Sequence, residues 1–118
     1  MLDVAIIGCG VVGAAYELSH YPLHTAIFEA ENDVADCTTK ANSAILHAGY
    51  DPEPGTRMAR LNVEGVALAK EICARLDVPY RQCGSLVLAL SPAELPHLQK
   101  LYENGLANGV PGIRLLSA

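Results

Sequence analysis

Basic residues are scarce in this sequence. Eight lysines and arginines stand against thirteen aspartates and glutamates, for a formal net charge of -5, so no cationic footprint for nucleic acid is present. The acidic residues (Asp3, Glu17, Glu29, Glu31, Asp33, Asp36 and onward) are dispersed, as on a solvated surface, and form no acidic tail. The cysteines Cys9, Cys37, Cys73 and Cys83 include no C-x-x-C pair, and no histidine lies at zinc-ligand spacing from any of them. That speaks against a metal site and predicts reduced thiols in a cytoplasmic protein. No stretch approaches the ~20 apolar residues of a membrane-spanning helix. The apolar run from Val4 to Ala15 is broken by three glycines and preceded only by the charge of Asp3, which is not the make-up of a signal peptide. Internal repeats and low-complexity tracts are lacking too.

What is present is a chain of 118 residues, 51% hydrophobic and 18% charged. That length suits one small domain with a well-filled core and is too short for two. Val4-Ala5-Ile6-Ile7 reads as a strand buried on both faces, as in a parallel sheet. It runs into a glycine turn, then a short helical stretch, Ala14 to Leu18, which Pro22 must end. Thr25-Ala26-Ile27-Phe28 is a second strand, closed by Glu29, so the opening is a β-α-β unit. After a polar stretch and the turn cluster Asp51 to Gly55, a helix is expected from about Thr56 to Leu76, with Met58, Leu61, Leu68, Ile72, Cys73 and Leu76 near its apolar face. Gly84 to Leu90 reads as another buried strand. Ser91-Pro92-Ala93-Glu94 is a capping box that starts a helix carrying Leu95, Leu98, Leu101, Tyr102 and Leu106, which Asn108-Gly109 closes. Ile113 to Leu116 looks like one more strand.

The turn Gly8-Cys9-Gly10-Val11-Val12-Gly13 matches G-x-G-x-x-G. Gly8 permits the tight turn, Gly10 lets a pyrophosphate approach the backbone, and Gly13 lets the helix pack closely on the sheet. The N–H groups of Val11 and Val12, with the positive end of the helix dipole behind them, would face the phosphates. Glu29 follows Gly8 by 21 positions, near the spacing of about 20 expected for the carboxylate that binds ribose hydroxyls. A carboxylate there disfavours a 2′-phosphate. On this pattern alone an NAD-binding domain and an FAD-binding one fit equally.

The segment Thr38-Thr39-Lys40-Ala41-Asn42-Ser43-Ala44-Ile45-Leu46-His47-Ala48-Gly49-Tyr50-Asp51 is more specific. With the glycine turn, and with Cys83-Gly84-Ser85-Leu86-Val87-Leu88-Ala89 further on, it resembles FAD-dependent oxidoreductases of the D-amino-acid-oxidase superfamily. The likeness is to the branch that holds glycerol-3-phosphate dehydrogenase and L-2-hydroxyglutarate dehydrogenase. The resemblance implies an α/β fold: a Rossmann-like FAD-binding segment over residues 1–78, then the start of a substrate domain over 79–118, the fold being incomplete without later sequence. It implies that Gly8, Gly10, Val11, Val12, Gly13 and Glu29 hold the adenosine diphosphate half of FAD. Thr38, Thr39 and Ser43 would supply contacts toward the diphosphate and flavin, and His47 and Gly49 would lie where the chain passes the ring.

By residue type alone Thr38 and Thr39 are equally loop residues, Ser43 a helix cap and His47 a core histidine. Arg57, Arg60 and Arg81 are cations that could meet an anionic substrate or simply be solvated. The implied activity is oxidation of a small 2-hydroxy acid or polyol phosphate, with an electron-acceptor partner and no turnover by this stretch alone. The rivals are a non-catalytic fragment with residual nucleotide binding and an NAD-binding domain. Two local departures stand out: the first helix is about two residues short, and Cys37 replaces the family's usual glycine, a strained choice if that position needs a positive φ.

Overall fold

The computed structural model describes residues 1–10 and 13–117. The elements run β1 (Val4–Ile7), α1 (Ala14–Leu18), β2 (Thr25–Phe28), α2 (Arg57–Arg75), a 3-10 turn (Pro92–Glu94) and α3 (Leu95–Ala107). They divide between two compact units, Met1–Ile45 and Leu46–Ala118.

In the first unit β1 and β2 form a two-stranded parallel sheet in the register Val4↔Thr25 to Ile7↔Phe28. The β-branched residues of β1 suit a pleated strand, and parallel pairing requires the crossover that α1 supplies. Asp3 ties the far end: its N–H donates to the His24 carbonyl and its carboxylate accepts from the His24 N–H, both at 2.9 Å. At the near end the Gly8 N–H donates to the Phe28 carbonyl at 2.7 Å, so pairing continues into the glycine turn. The expectation of burial on both faces is not met. Exposure alternates along β1, with Val4 and Ile6 half-buried and Ile7 83% exposed, because no described element covers the second face of the pair.

In the second unit Thr56 caps α2. Its hydroxyl accepts from the Ala59 N–H at 3.2 Å and donates to the Glu53 carbonyl at 2.7 Å. At the other end Asp77 turns left-handed (φ 53) and the Val78 N–H returns to the Cys73 carbonyl at 2.8 Å, satisfying an orphan carbonyl of the last turn. The end of α3 is a full Schellman motif: Gly109, at φ 76, donates to the Leu106 carbonyl and Val110 to the Gly105 carbonyl.

Four expectations in this unit need correction. The Gly84–Leu90 and Ile113–Leu116 segments are not strands; among the described residues neither has a strand to pair with. The Ser91 side chain makes no capping bond, and the Glu94 carboxylate reaches the Leu90 N–H at 2.7 Å, one residue beyond the capping-box donor. The inward face of α2 is only in part the one its large residues suggested. Ala59 is buried and Asn62, Val63, Val66, Ile72 and Cys73 are half-buried, whereas Met58, Leu61, Leu68 and Leu76 are exposed. The well-filled core expected from composition is not met: among the described residues the buried hydrophobic side chains are Ala59, at 3% exposure, and Val110, at 8%.

Large apolar side chains stand on the surface of this unit, among them Leu90, 86% exposed, and Leu86, 77%. Among the described residues no helix is long and apolar enough to cross a membrane.

Candidate functional site

The glycine turn leaves β1 through Gly8, at φ 92, a conformation that side-chain-bearing residues rarely adopt. Gly13 stands at the N-cap of α1 with φ 63. A Cβ built on it would meet nothing within 4 Å among the described residues, so its requirement is conformational and not the helix–sheet packing expected. Gly10 differs: its φ is ordinary, and an added Cβ would stand 3.3 Å from Thr39 Oγ1. Val11 and Val12, assigned to the phosphates, lie outside the described residues.

Glu29, at the end of β2, turns its carboxylate back onto this turn. Oε2 accepts from the Cys9 N–H at 2.6 Å, while Oε1 accepts from the N–H groups of Ala30 at 2.7 Å and Glu31 at 3.2 Å. These bonds, that from Cys9 foremost and then those from Glu31 and Ala30, hold its pKa below the usual 4.5 against a small opposing desolvation. The carboxylate is therefore anionic at neutral pH and fixed beside the peptide that follows Gly8. Cys9 also accepts from the Ala35 N–H through its carbonyl at 2.9 Å, which ties the turn to the loop after β2.

That loop brings Thr39 beside Gly10. Thr39 is half-buried; Thr38 and Ser43 are exposed, and Ser43 follows the looped stretch 31–41 and caps no helix. Cys37 has φ 61, so the position does adopt the left-handed conformation for which glycine is suited. The Ala41 N–H closes a turn onto its carbonyl at 3.1 Å. The first unit thus gathers Gly8, Gly10, Cys9, Glu29 and Thr39 around one turn. Bare backbone at Gly10, a hydroxyl and an anionic carboxylate are groups chemically suited to the phosphates and ribose of a dinucleotide.

The second unit carries His47 and Gly49. His47 is exposed, not a core histidine, and Gly49 is buried. Gly49 has φ 108, and a Cβ there would lie 2.7 Å from Val63 Cγ2 and 3.5 Å from Val110 Cγ2. The residues that fasten this stretch escaped sequence reading. Asn62, on α2, donates to the His47 carbonyl. Asn108, read only as a helix terminator, donates to the carbonyls of Gly49 and Pro52, each at 2.9 Å. No local signal marks an asparagine whose partner is distant in sequence. Tyr50 Oη lies 3.3 Å from Ser85 Oγ.

Arg57 and Arg60 line an open depression of about 540 Å³ at the start of α2, together with Thr56 and Asn108. Arg60 pairs with Glu64 at 3.7 Å on an exposed face, an arrangement of little energetic weight. Among the described residues no cluster of three or more His, Cys, Asp or Glu could hold a metal ion, and all four cysteines are free.

Comparison with known proteins gives a match over residues 3–118 to the family model described as FAD dependent oxidoreductase. The chain is 55% identical over 119 residues to a glycerol 3-phosphate dehydrogenase of Caloramator mitchellensis, which covers 99% of this chain and 25% of the relative. It is 42% identical to the mitochondrial L-2-hydroxyglutarate dehydrogenase of Homo sapiens, over 97% of this chain and 26% of that protein. The corresponding Dictyostelium discoideum enzyme is 38% identical over 98% of the chain. The chain spans about a quarter of the length of these relatives.

Proposed function

The chain belongs to the FAD-dependent oxidoreductase family, and from that premise we propose that it is the FAD-holding front part of a dehydrogenase of small hydroxylated anions. The substrate class is a 2-hydroxy acid or a polyol phosphate. The observation that carries the reading is the family match across residues 3–118, joined to a glycine turn with an anionic carboxylate bonded to it. The match to an FAD-dependent family is what favours FAD over NAD, which the glycine turn alone did not distinguish.

The residues fit the cofactor. Gly10 keeps the backbone bare beside Thr39, where a Cβ would press on the hydroxyl at 3.3 Å. The Glu29 carboxylate accepts three N–H bonds, and a carboxylate has about four acceptor positions, so one remains for a ribose hydroxyl. In this reading Gly8, Gly10, Val11, Val12 and Gly13 hold the pyrophosphate in a Rossmann-like β-α-β segment, and Glu29 holds the ribose. Thr38, Thr39 and Ser43 add uncharged hydrogen bonds, and His47 and Gly49 belong with the flavin. The FAD-binding part extends to about residue 78, and residues 79–118 begin the substrate domain. Bound FAD supplies a hydride acceptor that no amino-acid side chain can provide. The chain's own part is to bind it and fix its orientation; turnover, with a separate electron acceptor, belongs to a longer protein than residues 1–118. Four free cysteines support a reducing, cytoplasmic setting.

The test is anaerobic. The full-length protein carrying these residues, purified with FAD, should be yellow and should bleach on addition of L-2-hydroxyglutarate or glycerol 3-phosphate. Protein that retains no flavin after desalting, or flavin that neither compound reduces, would refute the reading.

A further inference from the structure

Three consecutive anchor points of the His47–Pro52 backbone are carbonyls met by side-chain amides. Asn62 donates to His47, and Asn108 donates to both Gly49 and Pro52. An amide nitrogen carries two hydrogens, so Asn108 commits both to this one segment. Neither asparagine is explained by its own helix. Asparagine is a poor residue for a helix interior, yet Asn62 lies inside α2. Near the end of α3 the Leu106 and Gly105 carbonyls are met by the N–H groups of Gly109 and Val110, and the Asn108 amide instead reaches outside the helix. Between the two amides Gly49 is pressed against Val63 and Val110. The His47 imidazole, in contrast, is exposed and bonds to none of the described residues. Hydrogen bonds from two helices that fix the backbone of a segment set where that segment stands toward a ligand.

We propose that Asn62 and Asn108 are positioning residues that set the orientation of the His47–Gly49 stretch toward the flavin. The inference rests on the reading above, that this stretch accompanies the flavin. Asn62→Asp and Asn108→Asp preserve shape but replace each donor by an acceptor that repels the carbonyls, and Asn108→Gln keeps the donor.

The experiment uses the full-length, FAD-loaded protein. It records the visible absorption and circular dichroism of the bound flavin, the FAD dissociation constant by fluorescence, and kcat and KM separately. The Asp variants should alter the flavin bands and lower kcat by roughly ten- to hundredfold, as a sub-ångström to ångström misplacement does. FAD affinity should hold within about threefold, since Gly10 and Glu29 are untouched. Asn108→Gln should recover part of the wild-type spectrum.

Variants that melt earlier but keep wild-type flavin bands and kcat would show that the amides merely staple the fold, overturning the inference alone. Should the Asp variants not fold, Asn62→Ala and Asn108→Ala, free of the repulsion, give the same readouts. A wild-type protein that binds no FAD would overturn both this inference and the reading beneath it.

Discussion

Adding one methyl group at Gly49 should be among the most damaging small substitutions in the second unit. Gly49→Ala meets two separate obstacles. The first is conformational: φ is 108, and a side-chain-bearing residue held there costs of order 1–3 kcal/mol. The second is spatial: the new Cβ would lie 2.7 Å from Val63 Cγ2, well inside contact distance, and overpacking of this kind costs typically 1–3 kcal/mol. Together they predict a destabilisation of about 2–6 kcal/mol, a large share of the stability of an ordinary domain. The two parts separate in a double-mutant cycle. Val63→Ala removes the Cγ2 atom that clashes, so in that background Gly49→Ala should retain the backbone cost and lose most of the spatial one. Urea unfolding of the four proteins, followed by far-UV circular dichroism, measures the cycle. Near-neutral Gly49→Ala would refute the geometry of the 47–52 segment. Complete rescue by Val63→Ala would show that no conformational strain exists at position 49.

Gly10→Val should abolish FAD retention, because the added carbons extend from a Cβ already 3.3 Å from Thr39 Oγ1; full flavin occupancy after desalting would mean the turn does not face the cofactor. The lowered pKa of Glu29 gives its bonds a pH signature: their contribution is complete above the ordinary value of 4.5 and is lost as pH falls through the lowered one. Glu29→Gln cannot accept from both sets of N–H groups, so wild type should unfold later than the variant at neutral pH and the gap should close in acid; a gap that persists at about pH 2 counts against the assignment. Cys37→Gly should stabilise the chain by about 0.5–1 kcal/mol, since a left-handed residue costs roughly 1–2 kcal/mol and glycine returns part of that as chain entropy. The check is the urea midpoint at unchanged slope, and a lower midpoint would show that Cys37 is not strained.

The parts of this molecule that were legible in its sequence are those whose cause lies within a few residues. The branched run Val4–Ile7, the glycine turn and Thr25–Phe28 announced a parallel β-α-β unit, and its strands fall at those residues. Thr56 and Asn108-Gly109 marked helix ends because capping bonds span only three to five residues. The strain at Cys37 was legible only through the resemblance, which puts glycine at a position that does adopt φ 61. What only the tertiary structure decided depends on partners distant in sequence. Gly84–Leu90 has the composition of a strand, but a strand exists only by pairing, and among the described residues it has no mate. The side of α2 that turns inward carries Asn62 and Val63, where Gly49 approaches closely, while the larger Met58 and Leu61 stand exposed. The hold of Glu29 on the Cys9 peptide, and of Asn62 and Asn108 on the 47–52 carbonyls, likewise comes from chain folding that brings these groups within hydrogen-bond distance. Such bonds leave no periodic or compositional trace, because a single polar side chain satisfies them at any separation along the chain.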